Sequence, residues 1–362
     1  MRRIPPPAGD LRSVVAGSLE LTLDTVRALE TTPDLLDATK VVGEALLLLR
    51  ATRTVAQDSA GWRHLYDATT PHARPADLAM RVCRDPARAL ETAFAHIQLT
   101  DLGDPDPALD APLDLALSDE PTGPAPYVVP ELQRQWLRDV RRGAPDPIAR
   151  DRLLHASSLA RPVDLLRCST QDVYDLTHAV MHGTDLGLWP LSAPRDEADL
   201  AADLDALLGI ALGAENFDLT TELLWAWPML RLAWTPAADL ALDTVLTLHR
   251  KHGYLPGPGL DPESGPDATE IRRTSYHATL VLGILAAAIL RAGDLPDRAQ
   301  PDRRDALAPM RLAVDLRRAS DRADLAEVRR LLQHAVDLDL ADGRAVAQSV
   351  ALLRRTIAAC TG

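Results

Sequence analysis

Aromatic residues make up only 4% of this 362-residue chain, and phenylalanine occurs twice. A hydrophobic share of 46% must therefore come mainly from Leu, Ala and Val. Alanine and leucine favour helix, whereas strands prefer β-branched and aromatic residues. Composition thus points to an all-α fold. Lysine is nearly absent, with Lys40 and Lys251 set against a large number of arginines. With the many Ala, Asp and Pro, this suits a GC-rich, actinobacterial genome and carries no functional weight. Cysteine is scarce too: Cys83, Cys168 and Cys360 are widely spaced and form no CxxC. That excludes a disulfide framework and predicts reduced cytoplasmic thiols.

Other absences narrow the function. No apolar region follows Met1-Arg2-Arg3, so no signal peptide is expected. The longest apolar run, 278–290, is too short to span a bilayer and reads as a buried helix. A cytoplasmic, soluble protein without a membrane partner is expected. Net charge is −13, and no basic stripe exists. Arginines alternate with acids, as in Arg317-Arg318-Ala319-Ser320-Asp321-Arg322. Nucleic acid is therefore not an expected partner. There is no GxGxxG, P-loop or GxSxG, so no nucleotide cofactor is expected. Asp203 and Asp205, like Asp337 and Asp339, are two apart and point to different helix faces. They make no Asp-rich diphosphate motif, which argues against a standard ionising terpene cyclase.

What is present reads as helix after helix. Helices are expected over 11–29, 34–56, 75–84, 86–99, 131–142, 147–159, 170–184, 197–212, 217–234, 237–251, 275–292, 303–318, 325–337 and 341–359. Short connections and pairs repeating every forty or so residues suggest antiparallel helix pairs forming an α/α toroid or an α-solenoid. The stretch 101–130, rich in Pro, Asp and Gly, reads as a linker containing a faint strand signal at Tyr127-Val128-Val129. It would separate an N-terminal helical unit, 1–100, from a main body, 131–362. The Pro/Gly-rich loop from Gly253 to Pro266 reads as a lid or a plain connection. Its preceding residues His249, Arg250, Lys251 and His252 suit a helix C-terminus.

Three segments could carry chemistry. At about 100° per residue, Tyr174, His178, His182 and Asp185 fall within roughly 80° of one another on a helix. Histidines four apart are spaced as helical metal ligands, and Asp185 adds an oxygen one turn on. Such a set suits iron, manganese or zinc. In the second segment, Asp218 and Glu222 share a face with Trp225 and Met229, which are expected in the core. Asn216 or Asp218 also serves simply as a helix cap. In the third, Thr274 is expected to cap a helix, setting His277 in the first turn above Val281, Ile284 and Ala288. An inward histidine there is expected to have a lowered pKa and a neutral ring. Trp62-Arg63-His64-Leu65-Tyr66 reads as a packed helix or a surface patch.

The order Thr177-His178, Thr184-Asp185-x-Gly187, Asn216-x-Asp218-Leu219, Glu222-Leu223 and Tyr276-His277 resembles that of an uncharacterised actinobacterial all-helical family, a domain of unknown function, over roughly 165–295. The resemblance implies a polar set of His178, Asp185, Asp218, Glu222 and His277. It departs at His182, where it implies an apolar or aromatic residue. It also implies natural-product or modified-peptide gene clusters, without an established activity. The resulting expectation is a metal-dependent tailoring enzyme of secondary metabolism acting on a small molecule or peptide. His178, His182, Asp185 and His277 would be ligands to a divalent metal, and Asp218, Glu222 and Tyr174 the catalytic groups. Two alternatives stand beside it: a metal-free acid/base isomerase, lyase or cyclase, and a helical interaction module whose polar cluster is a buried structural network.

Overall fold

The computed structural model describes residues 8–31, 36–118, 127–293, 307–337 and 351. Within these the chain is helical throughout, and no strand occurs among the described residues. The longer helices are α1 (Ala8–Thr31), α2 (Ala38–Ala56) and α3 (Ala60–Ala73), followed by α4 (Leu78–Arg84), α5 (Ala89–Thr92), α6 (Phe94–Asp101) and α7 (Pro107–Ser118). Next come α8 (Val128–Arg142), α9 (Pro147–Ala156), α10 (Thr170–Thr184), α11 (Glu197–Gly213), α12 (Phe217–Leu224) and α13 (Ala226–Leu230). The chain continues with α14 (Pro236–His252), α15 (Ala268–Ala292), α16 (Ala308–Asp321) and α17 (Leu325–Asp337).

Local chemistry sets most boundaries. Asp37 caps α2 by accepting from the Thr39 and Lys40 amides, which satisfies donors that have no partner inside the helix. Gly253, at φ 81, closes α14 directly after its basic last turn. The helix expected over 217–234 is two, because Pro228 lacks an amide and interrupts the ladder. The expected helix over 86–99 is likewise divided, into a 3-10 turn, α5 and α6. Asp267, rather than Thr274, caps α15 through the Thr269 and Glu270 amides. Thr274 lies inside the helix and bonds back to the Glu270 carbonyl. The expected helix 341–359 lies outside the described residues, apart from residue 351.

Packing joins the N-terminal helices to α15. Leu46, Leu48 and Leu49 of α2 share one core with Leu282 and Leu285 of α15 and with Leu19 and Val26 of α1. Each such fully buried leucine contributes roughly 1.5–3 kcal/mol. α1 and α15 approach closely where both residues are small. A Cβ on Gly283 would lie 2.5 Å from Ser18 Cβ, and Ser18 Oγ donates to the Thr279 carbonyl at 2.7 Å. α15 is long and apolar enough to cross a membrane by composition, yet 78% of its most apolar window is buried in the protein. It is the central core helix.

The segment 101–130 differs from the expected linker. α7 occupies much of it, and Leu113 and Ala116 join a second core with Leu78, Ile97, Trp136 and Leu137. Tyr127-Val128-Val129 opens α8 instead of a strand. Trp62 is a packed helical residue of α3, with its indole donating to the Leu49 carbonyl at 2.9 Å. The loop after Gly253 is fastened down at its start. Leu255 N donates to Thr279 Oγ1 at 2.9 Å and Gly257 N to Ser275 Oγ at 3.0 Å. Residues 254–257 are buried against α15, so this part of the loop is a strap rather than a movable lid.

Candidate metal centre

α10, α12 and α15 bring the three candidate segments together. Asn216 caps α12 by accepting from the Leu219 amide, which frees Asp218 from capping. Asp218 and Glu222 then lie one turn apart on the same face. They face His277, in the third turn of α15. His277 Nε2 is 3.5 Å from Asp218 Oδ1 and 3.8 Å from Glu222 Oε1. One ligand atom from each of the three residues lies within 4.8 Å of the others, and this is the one such convergence of His, Cys, Asp and Glu among the described residues. The carboxylates form a buried floor, with Glu222 only 2% exposed, and the His277 ring stands at the rim, 30% exposed.

Each of the three groups is held from behind. Tyr174 Oη donates to Asp218 Oδ2 at 3.0 Å. Thr177 Oγ1, three residues on in α10, donates to Glu222 Oε2 at 2.6 Å. His277 Nδ1 is 3.2 Å from Glu44 Oε1. Glu44 is itself held by Tyr276 Oη at 2.7 Å and by Lys40 Nζ at 3.6 Å. The outer atoms are thus tethered, while the inner atoms, Asp218 Oδ1, Glu222 Oε1 and His277 Nε2, turn toward one point. Outer partners of this kind orient metal ligands and raise their basicity. Asp218 Oδ1 is buried and receives no hydrogen bond, a cost that a cation at the convergence point would remove.

Electrostatics fit the same picture. Burial by itself would lower the His277 pKa. The surrounding carboxylates of Glu222, Glu44 and Asp218 outweigh it and raise that pKa well above the usual histidine value. The expected neutral imidazole with a lowered pKa is therefore corrected. The expectation counted the apolar face of α15 and did not include the carboxylates arriving from α2 and α12. Burial pushes the Asp218 carboxyl up, His277 pulls it back, and the Glu222 charge raises it again. Burial also pushes Glu44 up, but the His277 bond and charge and the Lys40 charge leave it below the ordinary range. The Tyr174 and Tyr276 phenols are raised by burial and then by neighbouring carboxylates, so both stay protonated donors.

His178, His182 and Asp185 do not join this point. Asp185 sits past the end of α10 at φ 51. Arg50 grips both of its oxygens, with Nη2 to Oδ2 at 2.8 Å, and Trp136 Nε1 donates to Oδ1 at 2.7 Å. Arg50 also donates to Asp101 Oδ2 at 2.8 Å. This carboxylate is spent on a structural ion pair joining α2, α6, α8 and α10. His182 packs its ring 5.0 Å from Trp136 and 5.9 Å from His178. Burial first, and then the His178 charge, push its pKa well down. His178 stacks between Tyr174 and His182. The helical stripe of rings is real, but it forms a stack along α10, and Tyr174 is the member that reaches the centre. Trp225 and Met229 are buried in the core as expected.

Glu44 is the member of the cluster that the sequence did not single out. It lies 232 positions from its partner Tyr276. The available signal was composition within α2, where Glu44 and Arg50 are the two charges in Val41-Val42-Gly43-Glu44-Ala45-Leu46-Leu47-Leu48-Leu49-Arg50. A charge set among so many buried positions needs a partner.

Compared with known families, residues 17–287 match the family described as domain of unknown function DUF6895, and the chain belongs to that family. The match takes in α2, α10, α12 and the part of α15 bearing His277, hence every residue of the centre. No curated protein and no solved structure matches the chain.

Proposed function

We propose that the chain is a metal-dependent enzyme, with Asp218, Glu222 and His277 holding a divalent cation and a small-molecule or peptide substrate reacting beside it. The observation that carries this reading is the tethering. Three inner ligand atoms converge within 4.8 Å, and the outer atom of each group is fixed by Tyr174, Thr177 or Glu44. Two carboxylates and one imidazole suit iron, manganese or zinc, and three protein ligands leave coordination positions open. A cation held there would polarise a substrate oxygen or lower the pKa of bound water. The chain's own residues do the rest. Tyr174 and Thr177 keep the carboxylates aimed inward, and the Glu44 carboxylate, 3.2 Å from Nδ1, holds the ring so that Nε2 faces the metal. In line with the resemblance to families near natural-product clusters, we assign the enzyme a tailoring step in bacterial secondary metabolism.

The ligand set in this proposal replaces His178, His182 and Asp185 with Asp218 and Glu222. Elemental analysis of protein purified without chelator tests it. Stoichiometric metal in the wild type, lost in His277→Ala and Asp218→Asn, is the expected result. Metal retained equally in both variants would refute it.

One observation favours a second reading. His277 lies within 3.2 to 3.8 Å of Glu44, Asp218 and Glu222, and as an imidazolium it would offset their charge. In that case the same residues form a metal-free acid/base group. Wild-type protein that takes up no iron, manganese or zinc at millimolar concentration would select this reading.

A further inference from the structure

The helix that carries His277 has little in its own core surface to fix its rotation. Every residue of α15 from Ala278 to Ile289 is buried, and Thr279 is the one polar side chain among them. A helix apolar on all sides finds burial in many settings, and burial alone does not choose one of them. His277 requires one setting, because its Nε2 must meet Asp218 and Glu222, at 3.5 and 3.8 Å. Turning α15 about its axis would swing that nitrogen away from both.

Directional bonds reach α15 from behind. Ser275 and Thr279 each lie two residues from His277, so at about 100° per residue they stand on the opposite face, about 160° round the helix. Both are fully buried. Ser275 Oγ accepts from the Gly257 amide at 3.0 Å, and Thr279 Oγ1 accepts from the Leu255 amide at 2.9 Å. Thr279 Oγ1 gives its own hydrogen to the Ser275 carbonyl at 2.8 Å, and Ser18 Oγ of α1 donates to the Thr279 carbonyl at 2.7 Å. The strap formed by residues 254–257 lies so close that a Cβ on Gly257 would overlap the Thr274 carbonyl group. Only glycine permits that approach. Pro256 and Pro258 have no amide to donate. Slipping the strap by one residue therefore loses at least one of the two bonds, and a buried amide left unpaired is costly.

We propose that Gly257, Ser275 and Thr279 are positioning residues for the centre. The strap fixes the rotation of α15 from its back face and so aims His277 Nε2 at the two carboxylates in front. Outer-shell support of this kind matters because a functional constellation tolerates displacements of only about 0.5 Å. The inference rests on the proposal above in treating the convergence as functional. It concerns the aim of the ring, and none of the three residues is a ligand.

Two measurements on the full chain provide the test. The first is zinc affinity by competition with a fluorescent chelator. Thr279→Val combined with Ser275→Ala removes both acceptors and should weaken zinc at least about tenfold, as loss of outer-shell partners does. Thr279→Ser keeps an acceptor for the Leu255 amide and should retain wild-type affinity. Leu137→Ala, in the second core, is the comparison for lost stability: its thermal midpoint should fall and its zinc affinity should not. Unchanged affinity in the double variant, or an equal loss in Leu137→Ala, would overturn the inference. The second measurement needs no metal. In a crystal structure of the metal-free double variant, the separation of His277 Nε2 from Asp218 Oδ1 should grow by more than about 0.5 Å, and an unchanged separation would refute the inference. Should the double variant not fold, Thr279→Val alone carries the same expectations. Wild-type protein that takes up no zinc, iron or manganese, together with a widened separation in the variant, would remove the metal reading and leave the positioning role in place.

Discussion

His277 Nε2 stands 3.5 Å from Asp218 Oδ1, a buried carboxylate oxygen that receives no hydrogen bond. The two residues are 59 positions apart on helices that meet at the core. A proton on Nε2 or a cation between the two atoms compensates that oxygen. A bare, neutral Nε2 turned toward it would set acceptor against acceptor. The chemistry proposed for the chain follows from which of the two cations is present.

Metal content should divide the histidines. His277→Ala removes a ligand and should lower affinity at least about tenfold, a loss comparable to removing a supporting partner. His178→Ala should leave affinity unchanged, because that ring is stacked between Tyr174 and His182. Competition with a fluorescent chelator measures both. Equal losses in the two variants would return the stripe on α10 to the ligand set.

Tyr174→Phe tests the tether separately from the ligand. It removes only the hydroxyl that donates to Asp218 Oδ2 at 3.0 Å. Metal affinity is expected to fall about 10–100-fold, with the thermal midpoint little changed. A large drop in midpoint with unaltered affinity would make the bond structural.

The pH response has a definite sign. The folded His277 pKa is raised well above the ordinary value. In metal-free protein its contribution to stability is therefore complete below the unfolded pKa, about 6.5. It is lost as pH rises through the raised folded value. Over the same window metal must displace one proton from Nε2, so metal affinity should increase about tenfold per pH unit. Urea denaturation of the apoprotein and metal titration from pH 6.5 upward should show opposite slopes, both absent in His277→Gln.

Arg50→Met should be among the most damaging single changes. It leaves Asp185, 1% exposed, as a buried carboxylate without its cation. Breaking one side of such a pair costs about 3–5 kcal/mol. Arg50→Met with Asp185→Leu should recover part of that, because no uncompensated charge remains. Chemical denaturation gives both values, and a loss under 1 kcal/mol for the single variant would contradict the buried pairing.

Gly283→Ala probes the closest helix approach. The added Cβ would sit 2.5 Å from Ser18 Cβ, closer than atoms tolerate, and overpacking of this kind costs about 1–3 kcal/mol. Ser18→Gly in the same chain should relieve it, read as a recovered thermal midpoint.

Much of the architecture was legible without coordinates. Scarce aromatics and abundant Leu and Ala gave the helical class, and α10 and α17 begin and end where their residue patterns expect. Capping residues and Pro228 act locally, so their effects are readable where they stand, although Thr274 illustrates the risk. It looks like a cap, but Asp267, about two turns earlier, does the capping. The linker expectation failed for a related reason. Prolines at 107 and 112 suggest loop, while the buried Leu113 and Ala116 hold that segment helical through packing. Among the site residues, Tyr174, Asp218, Glu222 and His277 were all singled out and all meet, whereas His178, His182 and Asp185 shared their pattern and do not.

The amino-acid order by itself determined which residues are helical and which of them share a face, because backbone geometry relates positions three and four apart directly. Only the tertiary structure decided partnership. Arg50 from α2 claimed Asp185, and Glu44 from the same helix reached His277. Both contacts span more than a hundred residues and depend on α2 lying against α15. No local spacing encodes that placement; it follows from burying Leu46, Leu48 and Leu49 against the central helix.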